Sequence, residues 1–374
     1  MSQTACNLLD FDRQALTEWL APHQFSKPQV ARLFQAIHQH QYENPQSLHF
    51  INRKLREFLI VHAYIGQLAV KKEQLATDGV IKWLFELADG NAIETVYIPE
   101  KKRATLCISS QVGCSLNCSF CATARQGFNR NLTTAEIIGQ IYTASERIKK
   151  FNSHSLPPIT NVVFMGMGEP LLNFESVISA ANVLLDDWAY GLAHRKVTIS
   201  TSGVVPAMLQ LKQRSPVALA VSLHAPNDEL RNLLVPLNKR YPLKDLISVC
   251  RHYYTAGKRE VTFEYVMLDG INDQNLHVEQ LFDLLKDVPA KINLIPFNPF
   301  PQAEFKTSPT KRILEFQKQL LAGGIVTTVR RPRGEKIAAA CGQLAGEVSS
   351  KADRQRHITK TLGKINIIHQ SVNY

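Results

Sequence analysis

The chain has 374 residues, 45% hydrophobic and 20% charged, a globular composition long enough for two or three domains and a large core without disulfides. No apolar run reaches the ~18 residues of a membrane span, and the polar start Met1-Ser2-Gln3-Thr4 has no basic stretch leading into an apolar one, so neither a membrane nor a secreted protein is expected. The formal charge is +11; residues 1–100 hold 9 basic and 11 acidic side chains, which leaves +13 on residues 101–374 and points to a polyanion, nucleic acid ahead of a membrane surface, over a plain solvated basic face.

The first ~90 residues read as helical. Ala15, Leu16, Trp19 and Leu20 share one face, and Val30, Leu33, Phe34 and Ile37 another, with Pro28 near a helix start. Ile51, Leu55, Phe58 and Leu59 suggest a third helix. Between 79 and 110 the period turns strand-like: Lys82 to Leu87 runs into the turn Asp89-Gly90-Asn91, and Ile93 to Ile98 follows. From 104 the chain alternates. Strands are predicted at Thr105–Ser109, Asn161–Met165, Lys196–Thr201, Val217–Leu223, Val261–Met267, Lys291–Phe297 and Ile325–Arg330. Amphipathic helices are predicted at 133–149, 173–188, 204–212, 241–255, 274–286 and 308–321. Such alternation argues for parallel strands joined by crossover helices, an α/β fold that is a barrel or most of one, with a doubly wound sheet as the runner-up. The expected organisation is a small helical N-terminal domain over 1–90, a core over 91–345 and a polar, basic C-terminal tail over 346–374.

Seven cysteines are present, and Cys107, Cys114, Cys118 and Cys121 fall within fifteen residues, while Cys6, Cys250 and Cys341 are scattered. An odd number with one tight cluster suits a reducing compartment and a metal or redox site. Cys114, Cys118 and Cys121 form a C-x3-C-x2-C run on a loop after a predicted strand. Three thiolates there can hold three irons of a cubane cluster and leave the fourth open to a small molecule. Structural zinc, which wants four N or S ligands, and an electron carrier, which wants a fourth cysteine, are the competing readings.

That run, with Phe120 before its last cysteine, resembles the signature of the radical S-adenosylmethionine (SAM) enzymes. Gly166-Met167-Gly168-Glu169-Pro170 resembles their glycine-rich SAM-binding strand. The flanking stretches 107–114, Ala122-Thr123-Ala124-Arg125-Gln126-Gly127-Phe128, Ser222-Leu223-His224-Ala225-Pro226-Asn227, Phe263 to Leu268, Ile295-Pro296-Phe297-Asn298-Pro299 and Ala339-Ala340-Cys341-Gly342-Gln343-Leu344 resemble the RlmN/Cfr family, whose members methylate adenine carbons in RNA. The resemblance runs through 79–346 in matched order.

The resemblance implies a partial (βα)6 TIM-like barrel and one [4Fe–4S] cluster on Cys114, Cys118 and Cys121. It assigns Gly168 and Glu169 to the SAM amino group, and Ser200, Ser222, Leu223, His224 and Asn298 to other parts of SAM. It implies that Cys341 carries a methyl group to the base, that Cys107 attacks the Cys341 sulfur to release the product through a disulfide, and that Glu94 is the candidate base. Two SAM molecules serve each turnover. The implied substrates are adenosines of 23S rRNA and tRNA, modified at C2, with C8 as the alternative within the family. A non-catalytic zinc-stabilised RNA-binding protein is the alternative of another class. A cytoplasmic monomer fed by an electron donor such as flavodoxin is expected. Lys101-Lys102-Arg103 precedes Cys107, and Arg330-Arg331-Pro332-Arg333 precedes Cys341; both runs are expected to draw RNA toward the site.

Overall fold

The computed structural model describes residues 5–150, 158–254, 260–301, 303–331 and 333–347. The tail predicted from residue 346 lies, beyond Glu347, outside them. Three helices open the chain: α1 (Arg13–Leu20), α2 (Lys27–His38) and α3 (Arg53–His62). Each start follows from local chemistry. The Asp12 side chain accepts from Ala15 N, Ser26 and Gln29 form a reciprocal capping box ahead of Pro28, and Asn52 accepts from Lys54 N. The predicted apolar stripes are the buried ones: Leu16, Leu20, Val30, Leu33, Phe34, Ile37, Leu55 and Leu59. The helices stop at His62, and a strand not expected there, Ala69–Leu75, follows; the strand read at Lys82 to Leu87 is found at Ile81–Glu86.

Ten strands form one sheet. In chain order they are β1 (Ala69–Leu75), β2 (Ile81–Glu86), β3 (Ala92–Pro99), β4 (Ala104–Cys107), β5 (Asn161–Phe164), β6 (Val197–Thr201), β7 (Ala218–Ser222), β8 (Val261–Met267), β9 (Ala290–Pro296) and β10 (Val326–Val329). Their order across the sheet follows the chain without a break. β1 to β4 pair antiparallel, and β4 to β10 pair parallel. Six crossovers link the seven parallel strands. Their helices are Thr134–Lys150, Phe174–Leu185, Val205–Arg214, the pair Asp228–Leu234 and Leu243–Arg251, Asn275–Leu285, and Thr310–Ala322. A doubly wound sheet reverses its strand order at a switch point. This sheet never does, so right-handed crossovers leave the helices on one face and the strand C-termini along one rim. β1 and β10 remain as edges, so the barrel is open.

The parallel strands are apolar because both faces are covered. Phe164, Ile199, Leu219, Val221, Phe263, Tyr265, Ile292 and Leu294 are buried, and each such side chain contributes roughly 1.5–3 kcal/mol. In the antiparallel extension Trp83 stacks near Phe85 and Tyr97 on one face of the sheet. Lys82 and Glu94 stand on the other. Among the described residues no helix is long and apolar enough to cross a membrane.

Candidate active site

The cysteine loop leaves β4 through a pinched neck. Gln111–Gly113 pairs antiparallel with Phe128–Asn131, and Cys114 N donates to Gly127 O at 3.0 Å. Gly113 has φ +72, and a Cβ there would lie 1.8 Å from Gly127 O, so only glycine closes this neck. Residues 114–121 are thereby gathered at the mouth of the barrel. They end in the one-turn helix Ala122–Arg125. The helix Asp228–Leu234 backs the loop, with Ser119 N donating to Leu234 O at 3.2 Å. Burial pushes the Cys114 thiol up to about 12 and the Cys118 thiol up as well, and both neighbouring cysteine sulfurs add to the rise at Cys118.

Facing the thiols is Glu169, on the turn after β5. Gly168 makes that turn with φ +96, and a Cβ there would lie 2.5 Å from Gln111 Cβ. The Glu169 side chain is buried, and burial raises its pKa. Ser202 N donates to one oxygen at 2.8 Å and Leu171 N to the other at 3.1 Å. Among the described residues no basic side chain pairs with it. Ser200 and Ser222, at the C-terminal ends of β6 and β7, line the same cavity, which spans about 1020 Å³ with its open mouth counted. His224 holds a left-handed backbone, φ +60. Its Nδ1 accepts from Val266 N at 3.0 Å, which fixes the neutral ring with its proton on Nε2. Burial lowers its pKa to about 3, and its ring meets Phe120 edge-on at 4.5 Å. Asn298 lines the cavity too, but its Nδ2 donates to Cys341 O at 3.3 Å. Leu223 does not line the cavity. It is fully buried, with its carbonyl accepting from Arg231 Nε at 3.0 Å.

Cys341 reaches the same cavity from the segment after β10. Its neighbours are anchored: Ala122 N donates to Gly342 O at 2.8 Å, and Thr123 Oγ1 to Leu344 O at 2.6 Å. Cys107 ends β4, is buried, and senses the Cys341 sulfur. Burial pushes its thiol up to about 12; Cys341 reinforces the rise and Arg330 opposes it. Burial also raises the Cys341 thiol against the pull of Arg330. All the described cysteines are free, so the disulfide implied for Cys107 and Cys341 is not formed in this structure.

The basic runs divide their work. Arg330 turns inward and lines the cavity with Glu264. Arg333 is held by Asp78 at 2.9 Å, and Arg103 by Glu100 at 2.5 Å. Lys101, Lys102 and Arg331 are exposed. Glu94 lies outside the cavity wall, in a buried ion pair with Lys82 at 2.7 Å. Sequence reasoning missed Lys82, Ser202, Arg231 and Glu264 as parts of the site, and read Arg330 only as one of a basic run facing RNA. Their shared signal is a polar or charged residue set in or beside an apolar strand or helix.

The donor set fits a cluster and SAM. Three thiols ring one end of a cavity, Ser119 Oγ on their loop is buried without a hydrogen-bond partner, and an unpaired buried carboxylate suited to an ammonium faces them. Among the described residues no three His, Cys, Asp or Glu side chains converge tightly enough to hold a single metal ion. A cubane places each thiolate on a different iron and needs no such convergence. An open parallel barrel with these groups on its C-terminal rim defines an iron–sulfur enzyme working on a cationic amino-acid cofactor.

The radical SAM superfamily model matches residues 108–284. A radical SAM methyltransferase from Sphaerobacter thermophilus is 40% identical, with TM-score 0.83 over 91% of this chain and 99% of that one. A domain of pyruvate-formate lyase-activating enzyme from Bacteroides vulgatus is 17% identical, covering 46% of this chain and 99% of that one at TM-score 0.36. SuiB from Streptococcus suis, bound to SAM, is 12% identical over 62% of this chain and 54% of that one at TM-score 0.43. The chain belongs to the radical SAM superfamily and is a SAM-dependent radical methyltransferase whose cofactors are a [4Fe–4S] cluster and SAM.

Proposed function

We propose that this enzyme methylates C2 of adenosine in 23S rRNA and tRNA, with Cys341 as the carrier of the methyl group and Cys107 as the resolving thiol. One observation carries the reading: Cys341 lines the cavity that holds the three clustered thiols, and it lies near enough to raise the buried thiol of Cys107, more than two hundred residues away in sequence. An electron carrier needs no such second pair, nor does a zinc-stabilised binding protein. Cys114, Cys118 and Cys121 would hold the cluster, and Glu169 the SAM ammonium. Together the two cofactors supply a methyl group and one-electron carbon-radical chemistry. An external donor, flavodoxin or its equivalent, supplies the electron.

The chain's own residues do the rest. Cys341 holds the carbon that becomes bonded to the base. Glu94 removes the ring proton once it is free of Lys82. The Cys107 thiolate then attacks the Cys341 sulfur. An S–S bond forms, the S–C bond breaks with its electron pair going to carbon, and that carbon takes a proton. A thiol reductant must open the disulfide before the next turnover. Exposed Lys101, Lys102 and Arg331 suit phosphate contacts at the rim. An adenine reaching so recessed a site must be unpaired or flipped out. The −2 charge of residues 1–100 leaves the N-terminal helices suited to recognising RNA shape over phosphate density.

Mass spectrometry of nucleosides from rRNA and tRNA treated with the reconstituted enzyme should show 2-methyladenosine. Detection of 8-methyladenosine alone would move the enzyme to the other branch, and unmodified RNA would overturn the reading. Glu169→Gln should weaken SAM binding by roughly 10- to 100-fold, the ~1.5–3 kcal/mol of a charge-assisted hydrogen bond. Equilibrium dialysis with the cluster-loaded variant checks this, and unchanged affinity would remove Glu169 from the SAM site.

A further inference from the structure

Lys82 and Glu94 meet diagonally across β2 and β3. Lys82 stands opposite Val96 and Leu84 opposite Glu94, so all four project from one face. The pair closes at 2.7 Å, with each side chain 8% exposed. A buried ion pair must also satisfy the remaining donors and acceptors of both partners. Here these go to one segment. Lys82 Nζ donates to Ala338 O at 3.2 Å, and Glu94 Oε2 accepts from Ala345 N at 2.8 Å. Ala338 and Ala345 bracket Cys341 in sequence.

Ala338 adds a second, independent observation. It has φ +49, a left-handed backbone that disfavours any residue with a Cβ. A non-glycine residue persists there only where its surroundings impose it. The Lys82 bond to its carbonyl is part of that imposition. Glu94 holds the far end of the same loop.

We propose that the Lys82–Glu94 pair is a clasp on the loop that carries Cys341, and that Lys82 is a positioning residue for that sulfur. Closed, the clasp sets Cys341 beside Cys107 and engages both carboxylate oxygens of Glu94. Open, it frees the Glu94 carboxylate and lets the strained turn at Ala338 relax, so the loop has two arrangements. The catalytic meaning of the clasp rests on Cys341 as methyl carrier; its mechanical existence does not.

Hydrogen–deuterium exchange on the full-length, cluster-loaded protein tests it. Three variants suffice: Lys82→Met, the double variant Lys82→Met/Glu94→Gln, and Lys82→Arg. Residues 338–345 should exchange at least ~10-fold faster in the first two, equivalent to ~1.4 kcal/mol of lost restraint. The arginine variant keeps a cation at the site and should stay within ~3-fold of the parent. Exchange across β8 should not change in any of them. The double variant leaves no unpaired buried charge, so it reports on the clasp even where Lys82→Met fails to fold. Unchanged exchange at 338–345 in the double variant overturns the proposal, as does an equal rise across β8, which would assign the pair to global stability. A positioning role further requires Lys82→Met/Glu94→Gln to slow methyl transfer to Cys341 at saturating SAM, with the half-saturating SAM concentration unchanged; an unchanged maximal rate overturns that role. Faster exchange in the variants, combined with a parent Cys341 that never acquires a methyl group, supports the clasp and sinks the methyl-carrier reading instead.

Discussion

Arg231→Met should lower the melting temperature by roughly 5–15 °C, the equivalent of on the order of 3–5 kcal/mol. Arg231 is 0% exposed, and among the described residues its hydrogen bonds go to carbonyl and amide oxygens, none to a carboxylate. Its guanidinium is spent on acceptors: Ser202 O at 2.8 Å, Ser222 O at 3.0 Å, Leu223 O at 3.0 Å and Asn238 Oδ1 at 2.8 Å. Asn238 in turn donates to Asp228 Oδ1 at 2.7 Å. Burial pulls the guanidinium down to about 10. Methionine fills the space but leaves these acceptors unpaired in a dry interior, where each lost partner costs about 1–3 kcal/mol. Lysine keeps the charge but lacks the planar fork, so Arg231→Lys should rescue little. Ser202 and Ser222 line the cavity of the candidate site, so their carbonyls shift together when the fork is removed. Leu233→Ala, on the same helix at 68% exposure, is the control and should change stability by less than ~0.5 kcal/mol. Thermal unfolding followed by circular dichroism decides it, and an Arg231→Met curve that overlays the parent's would show that the four contacts hold nothing in place.

Arg231 also shows why part of the site was illegible. An apolar run announces a covered strand, and β7 to β9 were legible within a residue or so for that reason. The cysteine run was legible from its spacing, and the Gly168-Glu169 turn only through its resemblance to the glycine-rich strand of the radical SAM enzymes. A buried charge whose partners are backbone carbonyls has no spacing to read. Arg231 sits in Asp228–Leu234, seven residues capped by Asn227, too short for a helical period to show. Lys82 and Glu94 sit in strands whose residues are mostly buried and apolar or aromatic, and a charge inside such a run was the available signal.

In the ten-stranded sheet the one unread strand has a different cause. β1 is an edge strand, mostly exposed, with Lys71, Lys72 and Glu73 at its centre. Edge strands are kept polar to discourage pairing with another chain, so their hydrophobic alternation is erased. Its register also shifts between Val70 and Lys72, which breaks the period of two. The helical reading of the first ~90 residues therefore ran past the true end of α3 at His62. Arg330 was legible as charge but not as direction. In sequence it belongs to a basic run; in the fold its backbone N–H pairs with Leu294 O at 2.8 Å, which places it on the rim beside Cys341.

Cys341→Ala and Cys107→Ala should fail in opposite ways. With Cys341 as the carrier, Cys341→Ala should still bind SAM but should acquire no methyl group and form no bond to RNA. Cys107→Ala keeps the carrier and loses only the thiol that breaks the adduct. It should be methylated at Cys341, attack RNA, and stop there, leaving protein covalently attached to its substrate. The asymmetry follows from the order of events: one sulfur makes the bond and the other breaks it. Cys341 lies near enough to Cys107 to raise its thiol, and Arg330 lowers both. The structure also sets the pH trend. Burial raises the Cys107 thiol, so its thiolate is the minor form near neutral pH and should grow by up to about tenfold per pH unit. Resolution of the trapped species in the parent enzyme should therefore quicken as pH rises through neutrality. Denaturing gels after incubation with SAM, a reductant and substrate RNA separate the outcomes. An RNA-linked band from Cys341→Ala, or none from a methylated Cys107→Ala, would exchange or abolish the roles given to the two cysteines.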